Sequence, residues 1–351
     1  MKTSALLSRG SAPTELVTAE LDDPRPDEVI VRIEAVGVCH TDLVTREALG
    51  NTPAVLGHEG CGIVERLGSS VTSLRTGERV VISFASCGRC GQCRAGHPAH
   101  CGWATALNGS GRRLDGSPTI RVAGEPVYGA FFGQSSFATA VLADARSCVP
   151  VGDVPPEVAA PFGCGFLTGA GAVLNVLRPG PDDRLLVIGG GGVGSAAVLT
   201  ALSEAVEVVV AEPVAARRAL AARCGATAVA SLDATLPPLT HALDTTGRPE
   251  LIRRALGLLQ PRGVLALVGL GPAELALEAR ALLLRGLHVR GCVEGDAEPS
   301  VLVPELLQRY RQGRLPVDRL VTTYALSDFD RAVADQQAGR TLKPVLLPDR
   351  G

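Results

Sequence analysis

The chain has 351 residues, 46% of them apolar, and a formal net charge of −2. That length predicts two domains with enough apolar surface for a substantial core. The near-neutral balance excludes a nucleic-acid surface or an anionic membrane as partner; the cations are almost all arginine, with Lys2 and Lys343 the lysines.

Up to about residue 150 the chain reads as short strands, at 28–33, 62–67 and 79–82, separated by Gly, Pro, Asp and Ser clusters, which predicts mostly antiparallel β structure. The Gly/Arg/Ser-rich stretch 108–124 reads as a long loop. Near Pro161 the pattern changes. An apolar helix at 168–177 is followed by strand 185–188, helix 194–204, strand 206–211, helix 214–224, strand 242–244, helix 250–259 and strand 264–268. Strands alternating with helices predict a parallel sheet. A last section from about 295 carries helices near 304–312 and 328–338 and a closing strand at 344–347. The apolar region 185–202 is broken by glycines, so it reads as strand, turn and helix rather than a membrane span. The first ten residues hold too short an apolar run for a signal peptide. A cytoplasmic protein is expected, with its ten cysteines reduced and available to metal rather than paired as disulfides.

Four of those cysteines fall at Cys87-x2-Cys90-x2-Cys93-x7-Cys101. Four thiolates at this spacing can close a tetrahedron on one zinc ion and leave no vertex for water, which makes a structural site. An iron–sulfur or redox cluster is the other chemistry such a set supports. Cys61, Cys148, Cys224 and Cys292 read as small buried hydrophobes.

A second motif, G-x-G-x-x-G on Gly189, Gly191 and Gly194, follows a buried strand and opens a helix. Small residues let the backbone approach a pyrophosphate, and the helix N-terminus offers free N–H groups. Glycine-rich turns also occur without a ligand, and the context decides here: Glu212 ends the next strand, where an acid can bind ribose hydroxyls and repel a 2′-phosphate. NAD(H) is therefore expected over NADP(H), with Arg217 and Arg218 close enough to soften the preference. Cys39, His58 and Cys164 are candidates for an open Cys2His zinc site. Their separations are long, and any one Cys or His is more often plain core packing.

Taken together, residues 37–42 (Gly-Val-Cys-His-Thr-Asp), residues 57–62 (Gly-His-Glu-Gly-Cys-Gly), the four-cysteine lobe and the late glycine loop resemble the zinc-dependent medium-chain alcohol dehydrogenases, in order and across essentially the whole chain. Residues 131–138, 163–175, 291–296 and 343–346 resemble the aryl-alcohol (benzyl-alcohol) dehydrogenases in particular. The resemblance implies an α/β protein: a GroES-like β domain, 1–165 completed by 295–351, and a Rossmann doubly wound parallel-sheet domain, 166–294, with the active site where the two meet.

The resemblance also implies roles. Cys39, His58 and Cys164 would hold a catalytic zinc, and Cys87, Cys90, Cys93 and Cys101 a structural one, two per chain. Glu59 would lie behind the catalytic metal as a transient or outer ligand, and Asp42 would accept the second ring N–H of His58. Thr41 would bond the substrate oxygen and begin proton transfer. His40 and Lys343 would face the cofactor phosphates, Thr168 the nicotinamide, and Gly189, Gly191, Gly192, Val193 and Gly194 the pyrophosphate, with Val268 also binding the cofactor. One departure stands in this set: many relatives carry a histidine where Val44 stands, as the outer end of the proton relay.

The expected reaction is the reversible oxidation of an aryl or allylic primary alcohol with NAD(H) and zinc, in a homo-dimer or homo-tetramer, with Phe84, Trp103, Phe132 and Phe166 as candidate pocket walls. Two other readings remain at this point. One is a reductase of the same fold acting on an enal C=C bond or an iminium in a specialised biosynthetic pathway. The other is a non-enzymatic zinc/NAD(H) redox sensor.

Overall fold

The computed structural model describes residues 1–233 and 235–348. In chain order its strands are β1 (Lys2–Ser8), β2 (Glu15–Leu21), β3 (Glu28–Gly37), β4 (Ala54–Val55), β5 (Gly60–Leu67), β6 (Arg79–Ile82), β7 (Ile120–Val122), β8 (Glu125–Pro126), β9 (Ala140–Asp144), β10 (Cys148–Pro150), β11 (Arg184–Ile188), β12 (Glu207–Ala211), β13 (Thr227–Val229), β14 (Leu239–Asp244), β15 (Leu259–Leu267), β16 (His288–Gly291), β17 (Val321–Ala325) and β18 (Lys343–Leu347). The chain divides into two compact units: Met1–Gly165 with Glu298–Arg311 and Asp318–Gly351, and Phe166–Ala297 with Gln312–Val317. Among the described residues no single helix is long and apolar enough to cross a membrane.

The first unit is β-rich. One sheet runs β4-β1-β2-β7-β8 and a second runs β10-β6-β5-β3-β18-β17, with β9 also paired to β3. β3 carries this architecture because Val29, Ile30, Val31 and Ile33 are all buried, among a core that includes Leu6, Val64, Phe137, Leu142 and Leu346. The C-terminal β18 adds antiparallel to β3, with Val345 opposite Gly37, so residues from the two ends of the sequence become neighbours.

The stretch 108–124 differs from the expected loop. Asn108 lies in the helix Ala104–Gly109, and Ile120–Val122 forms β7, paired with β2. Between them Arg113 anchors the chain: its Nε is 2.6 Å from Glu28 and its Nη1 2.9 Å from Asp22. A three-residue strand with one buried side chain leaves little periodicity to read.

The second unit holds a six-stranded parallel sheet in the order β13-β12-β11-β14-β15-β16. Period-two alternation divides its side chains between two cores. Leu185, Val187, Val208, Val210 and Leu243 pack on one face with the helix Gly192–Ser203. Leu186, Ile188, Val209, Ala211 and Ala242 pack on the other with the helix Pro249–Leu258. Burial on both faces explains why β11 reads as an unbroken apolar run. The chain leaves β11 toward β12 and later returns to its other side as β14. That reversal creates a switch point where ligands bind at the carboxyl ends of parallel strands. Of the four cysteines read as hydrophobes, Cys61, Cys148 and Cys292 are buried, whereas Cys224 is half-buried at a helix end.

Candidate metal and nucleotide sites

Cys39 directly precedes the helix His40–Leu49, whose first turn contains Asp42. The Asp42 carboxylate accepts the Cys39 N–H at 2.9 Å and the Gly57 N–H at 3.1 Å. It also lies 2.9 Å from Nδ1 of His58. Asp42 and His58 are both fully buried. One carboxylate therefore ties the helix start to the turn before β5, and it fixes the imidazole with Nε2 facing the opposite way. Cys164, which follows the turn Ala160–Gly163, completes the group.

The ligand atoms of Cys39, His58, Glu59 and Cys164 all lie within 4.8 Å of one another. Nε2 of His58 is buried and makes no hydrogen bond. The hydrogen bond from Cys164, helped by His58, holds the Cys39 thiol well below its ordinary range despite burial. Burial alone would depress the His58 imidazole, but Asp42 and Cys39 more than offset it and raise its pKa well above the usual value. One acidified sulfur, a second sulfur beside it and an unbonded ring nitrogen at this separation suit a tetrahedral zinc ion, whose thiolate ligands stand about 3.8 Å apart. Three protein ligands leave the fourth vertex available.

Glu59, the remaining member of this group, is fully buried. Its Oε1 accepts the Gly165 N–H at 2.9 Å, and its Oε2 lies 2.5 Å from the Lys343 ammonium. Lys343 also donates to the Val38 carbonyl at 3.0 Å. Burial raises the Glu59 carboxyl above its ordinary range even though Lys343 opposes the shift. Burial would lower Lys343, but Glu59 and Cys39 reverse that and raise it. Gly37 is required here, because a Cβ at that position would run into the Glu59 carboxylate. Lys343, expected at the cofactor phosphates, is 3% exposed and pairs with Glu59.

Thr41 is half-buried, with Oγ1 3.7 Å from the Cys39 sulfur, while His40 and Val44 are exposed. Phe132 stacks on His58 with ring centroids 4.5 Å apart and planes 26° apart, and Phe131 meets the same imidazole edge-on at 5.2 Å. This platform is bought with strain: Ala130, Phe132 and Ser135 have φ of 52°, 51° and 57°. Gln134 holds it down, its amide donating to the His58 carbonyl at 3.0 Å and its carbonyl oxygen accepting the Gly60 N–H at 3.1 Å. Ser135 Oγ donates to the Val55 carbonyl at 2.6 Å. Phe131 and Gln134, which contact His58, were not singled out as site residues from the sequence. The run of two aromatics before three hydrogen-bonding side chains was the available signal, but positive φ leaves no mark in composition. Of the other expected walls, Phe84 and Phe166 are buried and Trp103 is 52% exposed.

The sulfurs of Cys87, Cys90, Cys93 and Cys101 likewise converge within 4.8 Å. Backbone N–H groups point at them, from Cys87 to Cys101 at 3.3 Å and from Cys90 to Cys87 at 3.3 Å. The N–H groups of Cys93 and Gly102 draw the Cys90 thiol down to about 6, while burial among sulfurs pushes Cys93 up to about 12. Only a cation lets all four be thiolates together, so the set fits a closed zinc site.

In the second unit Gly189 follows β11 with φ of 95°, Gly191 caps the next helix, and Gly192, Val193 and Gly194 form its first turn. A Cβ at Gly194 would strike the Gly189 carbonyl. Glu212, just after β12, is 3% exposed. Its carboxylate accepts the Gly190 N–H at 2.7 Å and the Val214 N–H at 2.8 Å. Glu212 therefore braces the glycine loop itself, besides standing where a ribose is expected. Val268, one residue beyond β15, donates its N–H to the Asp244 carbonyl at 2.9 Å. Thr168 is buried in the helix Gly165–Gly171, its hydroxyl 3.5 Å from the Glu294 carboxylate.

Comparison with known proteins adds the family. Residues 25–153 match the family described as alcohol dehydrogenase GroES-like domain, and residues 192–310 match zinc-binding dehydrogenase. Geraniol dehydrogenase of Castellaniella defragrans is 43% identical, over 98% of this chain and 97% of that protein. The solved benzyl alcohol dehydrogenase of Acinetobacter calcoaceticus superposes with a TM-score of 0.94 at 36% identity, over 99% of this chain and all (100%) of that one. An alcohol dehydrogenase zinc-binding domain protein from Burkholderia ambifaria gives 0.95 at 39% identity, over 99% and 100%. With a β-rich unit, a doubly wound parallel sheet and two clusters of metal-binding side chains, the chain is a member of the zinc-dependent medium-chain alcohol dehydrogenase family.

Proposed function

We propose that this chain oxidises aryl or allylic primary alcohols to aldehydes, and reduces them back, with NAD(H), holding two zinc ions. The observation that carries the reading is the buried, unbonded Nε2 of His58 converging with Cys39 and Cys164. Support for NAD(H) comes from the glycine loop and from the carboxylate of Glu212 at the end of β12. Support for the substrate class comes from the Phe131–Phe132 platform on His58 and from relatives whose names specify geraniol and benzyl alcohol. Both molecules carry the hydroxyl on a carbon next to an unsaturated one.

Cys39, His58 and Cys164 would hold one zinc, and the four-cysteine lobe the other. When bound, the first supplies Lewis acidity toward an alcohol or aldehyde oxygen, and the nicotinamide accepts or donates hydride. The protein's own groups do the rest. Asp42 holds the proton on Nδ1 of His58, so Nε2 keeps its lone pair for the metal. Thr41 Oγ1 takes the proton of the substrate hydroxyl while passing its own to water on the side where Val44 is exposed. Phe131 and Phe132 keep water from the imidazole and offer aromatic faces to an unsaturated substrate. Lys343 balances the charge of Glu59 and holds it behind the metal ligands.

Metal analysis and a substrate panel followed at the NADH absorbance band test the proposal. Two zinc ions per chain are expected, with kcat/KM for benzyl alcohol exceeding that for ethanol by more than roughly tenfold. NADP+ should serve at least about tenfold worse than NAD+. Equal efficiencies for the two alcohols would reject the aryl preference. Saturation of an enal with no alcohol formed would favour C=C reduction, and no turnover on any alcohol or aldehyde would reject the enzyme.

A further inference from the structure

Residues 294–296, just beyond β16, form a turn in which Glu294, Gly295 and Asp296 are all left-handed, with φ of 48°, 67° and 46°. Gly295 suits that region; Glu294 and Asp296 do not, and such strain persists only where the surroundings over-determine it. Here they do. A Cβ on Gly171 would strike the Gly295 carbonyl, and a Cβ on Gly295 would come to 2.7 Å from the Leu167 carbonyl oxygen. The Asn175 side-chain amide donates to the Gly295 carbonyl at 3.0 Å and the Asp296 carbonyl at 3.3 Å. The turn is thus pinned to the segment bearing Thr168, and Glu294 is folded inward at 8% exposure, its carboxyl 3.5 Å from the Thr168 hydroxyl.

Sheet topology says what lies near that carboxyl. A dinucleotide with its pyrophosphate on the Gly189–Gly194 turn lays its adenosine half over the end of β12, where Glu212 stands, and its nicotinamide half across the ends of β14, β15 and β16. Another acid at those strand ends, Asp244, spends its carboxylate on its own turn, accepting from Thr246 Oγ1 at 2.6 Å and from the Gly247 N–H at 2.8 Å. Glu294 instead extends back to Thr168.

We propose that Glu294 biases the site toward the oxidised cofactor, with Thr168 as its positioning residue. This rests on the reading of the glycine loop as an NAD(H) site. The oxidised nicotinamide ring carries a positive charge and the reduced ring carries none. A fixed carboxylate in a site shielded from water attracts the first and is indifferent to the second. Hydride transfer converts one ring into the other, so the attraction is lost as the alcohol is oxidised and regained in the reverse direction.

The test is the pair of dissociation constants of the zinc-loaded protein, with NAD+ measured by calorimetry and NADH by fluorescence. Glu294→Gln keeps shape and removes charge. It should weaken NAD+ by roughly tenfold and leave NADH within about twofold. Glu294→Asp keeps the charge and should keep the preference. Thr168→Val leaves the strained turn untouched and should move the ratio the same way as Gln, by at least about twofold. If both forms weaken together in Glu294→Gln, or the ratio does not change, the bias is wrong and Glu294 is structural. A wild-type chain that binds neither form would overturn the cofactor reading itself.

Discussion

The Asp42 carboxylate lies 2.9 Å from Nδ1 of His58, and both side chains are fully buried. The same carboxylate accepts N–H groups from Cys39 and Gly57. It therefore orients two candidate metal ligands, one three residues before it and one sixteen residues after it, and sets the tautomer of the second. Asp42→Asn keeps the volume but removes the charge. Zinc affinity at this site should fall about 10–100-fold, as is usual when such a partner is lost, and kcat/KM should fall with it. Chelator competition reads the first quantity directly; an unchanged affinity would show that Asp42 serves only the fold.

Phe132 is held against His58 in a backbone conformation that a bulky residue avoids. If the strain is kept for an aromatic surface, Phe132→Leu should lower kcat/KM for benzyl alcohol by about 5–20-fold and leave ethanol within about threefold, since one pocket contact is worth ~1–2 kcal/mol. Parallel losses on both substrates would instead mean that Phe132 only supports the imidazole.

Much of this arrangement could be read from the sequence, and the part that could not has a physical reason. The glycine loop and the four-cysteine lobe are local: their chemistry falls within six and fifteen consecutive residues. The parallel sheet was legible because β11 and its neighbours are buried on both faces and alternate with helices. The Lys343–Glu59 pair joins residues 284 positions apart through the pairing of β18 with β3, which no local pattern announces. The Phe131–Gln134 platform depends on positive φ at non-glycine residues, which propensity disfavours. The helix at 299–311 begins before its Pro304, because a proline inside a helix looks like a start.

Cys90 and Cys87 are the sulfurs of the lobe already drawn toward the thiolate, Cys90 to about 6. Cys90→Ser should lower the zinc content from two ions per chain to one and leave the Cys39–His58–Cys164 site loaded. The lobe should then become sensitive to proteolysis, because binding energy in such sites is folding energy. pH gives an independent reading. A thiol depressed from its ordinary value to about 6 favours the folded lobe at alkaline pH, and that contribution disappears as pH falls through 6. Protons also compete with zinc for the four thiolates, so zinc affinity of the wild-type lobe should fall as pH falls. Retention of two zinc ions in the Cys90→Ser variant would exclude this cluster as a metal site.

Lys343 and Glu59 form an ion pair buried to 3% and 0% exposure. Removing one partner leaves the other charge uncompensated in a site closed to water, whereas removing both leaves no bare charge. Lys343→Met alone should cost about 3–5 kcal/mol of stability, and adding Glu59→Gln should recover most of it. A double-mutant cycle on the zinc-loaded protein measures that coupling from urea midpoints. The cycle also separates two roles for Glu59. If its carboxylate is held off the metal by Lys343, a cobalt-substituted Lys343→Met protein should change its visible ligand-field spectrum as the freed oxygen approaches, and the double variant should restore the spectrum. Additive stability losses with an unmoved spectrum would mean that the pair does not act as a unit and that Glu59 has no path to the metal.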